Sequence, residues 1–147
     1  MSKIRLDKWF LVAILFAIGL TVFTLSHIVT DPAHIIPELG RDGAKNNFTY
    51  LYQCMYGHGY WFDGMNYPYG EHIVYTDGQP VLSVLFTCFK NVSAPEALTA
   101  MWLLIGLSYV LSILYVYKAL VHFKLAPLAA TIFAGLIGGA CSIQYYN

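Results

Sequence analysis

The sequence predicts an all-α integral membrane protein with three transmembrane helices and a large outer loop that contains amphipathic juxtamembrane helices. Hydrophobic residues make up 58% of the 147 residues and charged residues only 11%. A soluble domain is roughly 45–50% apolar and about 25% charged, so this chain has more apolar surface than a water-soluble fold of its size can bury. Its net charge is zero, which gives no reason to expect nucleic acid as a partner.

Three apolar runs have the length of membrane spans. Each is about 20 residues long, which is what a helix needs to cross a hydrocarbon core of roughly 30 Å. The chain is therefore divided into a cytoplasmic N-terminus at 1–9, transmembrane helices at 10–29, 98–117 and 125–145, an extracytoplasmic loop at 30–97 and a cytoplasmic turn at 118–124.

The basic residues predict the orientation of these spans. Lys3, Arg5 and Lys8 precede the first apolar run, and Lys118 and Lys124 lie between the last two. Because basic residues favour the cytoplasmic side, we expect a cytoplasmic N-terminus, with the long loop and the C-terminus on the outer side.

The outer loop contains two expected juxtamembrane helices, at about 42–56 and 80–90. In the first, Ala44, Phe48, Leu51, Tyr52 and Met55 fall on one helical face, and Asp42, Lys45, Asn46, Thr49 and Gln53 fall on the other. This period is typical of an amphipathic helix on a membrane surface. The apolar piece that follows Pro80 is too short to span and predicts a re-entrant or interfacial helix. The segment between them, rich in Gly, Pro and aromatic residues, predicts turns.

Asp42 is the first candidate for chemistry. It sits where an N-cap belongs, and its carboxylate could instead accept a proton from an acceptor hydroxyl or hold a metal ion. Arg41 and Lys45 flank it and could bind a lipid phosphate, although bases there also serve for ordinary attraction to anionic headgroups.

Further candidates lie on either side of the first loop helix. Asp31, His34 and Glu38 could offer ligands to a divalent cation, or could simply line a solvated loop. Glu71 and His72 follow a tight turn and could bind sugar hydroxyls, or could belong to the turn alone. Cys54 and Cys88 could form a disulfide in an oxidising compartment, whereas single membrane cysteines more often fill apolar space.

Two strings resemble a known group of enzymes. GRDGAKNNFTYLYQ and GMNYPYGEHIVYTDGQPVLSVL are similar to segments of bacterial GT-C membrane glycosyltransferases. The resemblance implies transfer of a sugar from a polyprenyl-phosphate donor to an acceptor at the outer face of the bacterial inner membrane. It implies Asp42 as base or metal ligand, with Mg²⁺ or Mn²⁺ as the cation to consider. Arg41 or Lys45 would offset charge on the departing phosphate.

Enzymes of that group have many more spans than this sequence provides. We therefore expect the chain to be part of a longer polytopic protein and inactive without the missing helices. The alternative is a small non-enzymatic three-span protein that serves as an assembly or lipid-binding subunit of a larger membrane partner. A transporter is less favoured, because the predicted spans carry no ionisable residue at mid-membrane depth.

Overall fold

The computed structural model describes residues 8–36, 41–76, 78–89 and 92–143, and the side chains of these except Arg41 and residues 139–143. The elements in chain order are α1 (Lys8–Thr24), α2 (Ser26–Val29), α3 (Arg41–Tyr56), β1 (Trp61–Phe62), β2 (Glu71–His72), a 3-10 helix (Ile73–Thr76), α4 (Pro80–Thr87), α5 (Ala94–His122) and α6 (Pro127–Ile143). They form two compact units. The loop unit runs from Asp31 to Trp102, and the helical unit combines the residues up to Thr30 with those from Leu103 onward.

The helical unit has a core of small residues. Helix α1 packs against α6, and the buried cluster consists of Ala13, Ala17, Ile113, Tyr117, Ala130 and Ala134. Four of these six are alanines, which let neighbouring helix axes approach closely. At one edge of this core the ring of Phe10 lies 6.2 Å from that of Tyr117.

The prediction of three transmembrane helices is wrong. Helices α1 and α6 have 17 residues each, so each rises about 25 Å, less than the roughly 30 Å of a hydrocarbon core. Within the described residues, only α5, with 29 residues, is long and apolar enough to cross a membrane. The structure is mostly helical, so the helical class holds in part.

The physical reason is that an apolar run need not be one continuous helix. The run at 10–29 is interrupted at Leu25, whose φ of −97° and ψ of 21° separate α1 from the short α2. Helix α5 instead extends beyond the predicted 98–117 in both directions. It includes Lys118, which we had placed in a turn, and the chain reverses only around Lys124, at a positive φ of 65°.

The loop unit combines two packed helices with a small hairpin. Helix α3 packs against α4, and strands β1 and β2 pair antiparallel, with Trp61 opposite His72 and Phe62 opposite Glu71. The all-α prediction missed these strands because they are only two residues long. Positive φ angles at Asn66 and Gly70 close the turn that joins them.

Helix α3 packs on the rest of the loop unit with part of its predicted polar face. Thr49 and Gln53 lie on the predicted polar face and are fully buried, whereas Ala44 and Phe48 lie on the predicted apolar face and are exposed. The helix is where the period predicted it, and the period did not say which face would pack against the protein. The interior of the loop unit is therefore partly polar.

We predict opposite effects of alanine at two glycines of the helical unit. A Cβ at Gly138 would collide with the side chain of buried Ile113, so Gly138→Ala should destabilise by about 1–3 kcal/mol. A Cβ at Gly19 meets nothing within 4 Å, so Gly19→Ala should stabilise α1 by about 0.5–1 kcal/mol. Thermal unfolding in one detergent measures both variants. Equal shifts of the melting temperature would contradict the packing described here.

Candidate functional site

Asp42 lies in the first turn of α3 and its side chain is exposed. Because the helix begins at Arg41, Asp42 is inside the first turn and not at the predicted N-cap. A carboxylate in this position typically stabilises a helix by about 0.3–1 kcal/mol, because the N-terminal end of the helix dipole is positive.

Lys45 follows Asp42 by three residues and is half-buried. Residues three apart on a helix lie on neighbouring positions of one face, so α3 presents a carboxylate and an ammonium group on the same side. Arg41 is the first residue of the helix, and its side chain lies outside the described part of the structure. Of the two predicted phosphate-binding residues, the structure therefore places one.

Three side chains fix α3 to the rest of the loop unit. The Tyr50 hydroxyl donates to the Ala97 carbonyl at 2.8 Å, which ties α3 to the start of α5. The Thr49 hydroxyl lies 3.3 Å from the Thr76 carbonyl oxygen, so α3 packs against the 3-10 helix there, while the nearer acceptors of its single proton are the α3 carbonyls of Lys45 at 3.0 Å and Asn46 at 3.1 Å. The Gln53 amide nitrogen donates to the carbonyls of Gly59 at 2.9 Å and Trp61 at 3.4 Å, which ties α3 to the hairpin. The helix that carries Asp42 is thus held at three points.

Glu71 and His72, the second candidate pair, form strand β2. The Asn66 amide nitrogen donates to Glu71 Oε2 at 2.7 Å, so the turn orients the carboxylate. The Val74 backbone N–H donates to His72 Nδ1 at 3.3 Å. Since Nδ1 is the acceptor, a neutral ring carries its proton on Nε2, which becomes a hydrogen-bond donor.

Two exposed tyrosine rings surround His72. Tyr60 stacks on the imidazole with ring centroids 6.0 Å apart and an interplanar angle of 10°, and Tyr75 meets it edge-on at 6.2 Å. Sequence analysis did not identify Tyr60, Tyr75 or Asn66 as members of this site. The Asn-Tyr-Pro-Tyr-Gly turn could have indicated that Asn66 lies close to Glu71. The contacts of the two tyrosine rings with His72 depend on strand pairing, which the sequence pattern did not show.

The expected cation ligands are not assembled in the described part of the chain. His34 Nδ1 lies 2.7 Å from Asp31 Oδ1 on the exposed surface, and Glu38 lies outside the described residues. Within those residues there is no group of three His, Cys, Asp or Glu side chains that could hold a metal ion. The described residues thus bring together one carboxylate and one imidazole here, and no reaction step is assigned to a metal.

Cys54 and Cys88 are both free thiols. Cys54 is buried on α3, one helical turn after Tyr50, while Cys88 is exposed directly after α4. Burial raises the pKa of the Cys54 thiol to about 11 and also raises the pKa of the Tyr50 hydroxyl. A buried, protonated thiol behaves as a small apolar side chain.

The comparisons with known proteins give one match. A family model described as "Domain of unknown function (DUF6311)" matches residues 50–141, which is more than half of the chain. No curated protein and no solved structure matches the chain significantly. The matched range includes Glu71 and His72 and begins after Asp42.

We predict that the two cysteines of the loop unit differ in reactivity. The thiolate is the reactive form, so iodoacetamide at pH 7.5 should label Cys88 and leave Cys54 unlabelled in the folded protein. Labelling of Cys54 should increase when the protein is unfolded, or as the pH approaches about 11. Peptide mass spectrometry measures both sites in one sample. Equal labelling of Cys54 and Cys88 in the folded protein would contradict the burial of Cys54.

Proposed function

The chain belongs to the family described as domain of unknown function DUF6311, and we propose that it is part of a membrane glycosyltransferase. The enzyme transfers a sugar from a polyprenyl-phosphate donor to an acceptor hydroxyl at the outer face of the bacterial inner membrane. The observation that carries the proposal is the exposed carboxylate of Asp42 on a helix fixed by Tyr50, Thr49 and Gln53. Such a fixed, accessible carboxylate suits a general base.

Asp42 acts as the base in this reaction. Its carboxylate accepts the proton of the acceptor hydroxyl, and the acceptor oxygen forms a bond with the anomeric carbon of the donor sugar. The bond from that carbon to the phosphate oxygen breaks, and the lipid phosphate leaves with the electron pair. Lys45, on the same side of α3, offsets the negative charge that develops on the phosphate.

The hairpin provides the polar and aromatic groups that bind a sugar. A pyranose has an apolar C–H face that packs on an aromatic ring, and Tyr60 and Tyr75 offer exposed rings. Its hydroxyls need donors and acceptors, which His72 Nε2–H and the Glu71 carboxylate supply. A few fixed polar groups among aromatic side chains are typical of small-molecule sites.

The family match and the catalytic proposal concern different parts of the chain. The match begins at residue 50, so it includes the hairpin and leaves out Asp42. The role of Asp42 depends on its exposure at the start of α3 and on the resemblance of the string GRDGAKNNFTYLYQ to GT-C enzymes.

The proposal is tested by removing the charge of Asp42 in the full-length protein. Membranes that contain it are incubated with a panel of polyprenyl-phosphate-linked hexoses and pentoses, and release of polyprenyl phosphate is measured by mass spectrometry. Asp42→Asn should lower the rate by about 10²- to 10⁴-fold, the usual contribution of a general base.

Glu96→Gln provides the matched control for this test. Glu96 accepts hydrogen bonds from the Ser93 backbone N–H and hydroxyl, and a glutamine oxygen retains an acceptor there while removing the same charge. The control should release polyprenyl phosphate at the parent rate. If Asp42→Asn is as active as Glu96→Gln at equal expression, Asp42 is not the base. If the parent releases nothing from any donor, the non-enzymatic membrane subunit becomes the better function.

A further inference from the structure

Helix α3 buries several polar side chains and exposes several aromatic ones, beside buried Tyr50 and Cys54 and the exposed Asp42. Asn47, Thr49 and Gln53 are buried, at 8%, 0% and 0% exposure. Phe48 and Tyr56, on the other side, are 51% and 59% exposed. A surface helix in water turns its charged and polar residues outward and its apolar residues toward the core.

The outward side of α3 carries a continuous aromatic stripe. Phe48, Tyr52 and Tyr56 follow one another at intervals of four residues, which places them on one side of the helix. Their ring centroids are 5.7 Å apart between Phe48 and Tyr52 and 5.3 Å apart between Tyr52 and Tyr56. We name these three residues the α3 stripe.

Helix α4, which packs against α3, shows a similar arrangement. Ser83 is fully buried and donates to the Pro80 carbonyl at 3.2 Å. Val81, Leu85 and Phe89 are exposed at 82%, 57% and 62%, again at intervals of four residues. Val81 and Leu85 of α4, with Phe89 just after its end, form the α4 stripe. Lys45 precedes Phe48 by three residues and therefore borders the α3 stripe.

We infer that the α3 and α4 stripes bind the interfacial region of a lipid bilayer. An apolar outward side with a polar interior is unfavourable against water and favourable against the boundary between headgroups and acyl chains. Tyrosine is enriched at this depth because its ring is apolar and its hydroxyl can remain hydrated. The inference does not depend on the catalytic role of Asp42.

The position of α4 in the chain favours a bilayer over a second protein. Helix α4 ends at Thr87 and α5 begins at Ala94, so the seven steps between these residues can separate them by at most about 25 Å. Helix α5 is the candidate membrane span among the described residues. With α5 in a bilayer, α4 cannot lie far from the membrane surface, and α3 packs directly on α4.

Spin labels on single cysteines test the inference in lipid nanodiscs. Cys88 and Cys141 are replaced by alanine and buried Cys54 is kept, after checking that this parent takes up no label. Phe48→Cys and Leu85→Cys place labels in the two stripes, and His58→Cys places one at an exposed polar position of the same unit. Collisions with O₂, which concentrates in hydrocarbon, are compared with collisions with a water-soluble Ni²⁺ chelate.

For the labels at positions 48 and 85, we expect more collisions with O₂ than with the Ni²⁺ chelate. For the label at position 58, we expect the reverse. If the labels at both stripe positions collided more often with the Ni²⁺ chelate than with O₂, the stripes would face water, and the inference would be overturned. Low collision rates with both reagents would mean that protein, either a second copy or another chain, covers the stripes, which also overturns it. Two independent stripe positions keep the test valid if one variant fails to fold.

Discussion

Hydrogen bonding by the buried polar side of α3 is the constraint on which the loop unit depends. Tyr50 and Gln53 donate to carbonyls of α5 and the hairpin, and the hydroxyl of buried Thr49 lies 3.3 Å from a carbonyl of the 3-10 helix. A hydrogen bond of this kind typically contributes about 0.5–1.5 kcal/mol to stability. The Gln53 amide nitrogen points at two carbonyl oxygens, whereas its buried Oε1 has no hydrogen-bond partner among the described residues. A single helix thereby sets the position of the other elements of this unit.

The same constraint links the site to the surface of the protein. Because the polar side of α3 faces inward, its aromatic side must face outward, and the proposed base Asp42 is presented at the beginning of the helix. Gln53 binds the hairpin that carries Glu71 and His72, so both candidate groups are held by one scaffold. If α3 faces a membrane as we infer, a helix that begins with an exposed aspartate suits chemistry on a lipid-linked substrate.

The local sequence pattern predicted where the loop helices lie better than it predicted which residues pack against them. The period at 42–56 and the proline at residue 80 were sufficient to predict α3 and α4, because both signals are local. The buried side of α3 could not be predicted, since a helical period separates two faces without saying which one faces the protein. Hydropathy also failed to show the break at Leu25, and the contacts of Tyr60 and Tyr75 with His72 depend on strand pairing.

Hydrogen–deuterium exchange of the Gln53→Leu variant in nanodiscs tests most directly whether the polar side of α3 holds the loop unit together. Leucine has a similar size and cannot donate to the carbonyls of Gly59 and Trp61. The account predicts faster exchange in peptides that contain β1 and β2, with exchange in α6 unchanged. Unchanged exchange in the hairpin would contradict it, because the hairpin would then be held without Gln53.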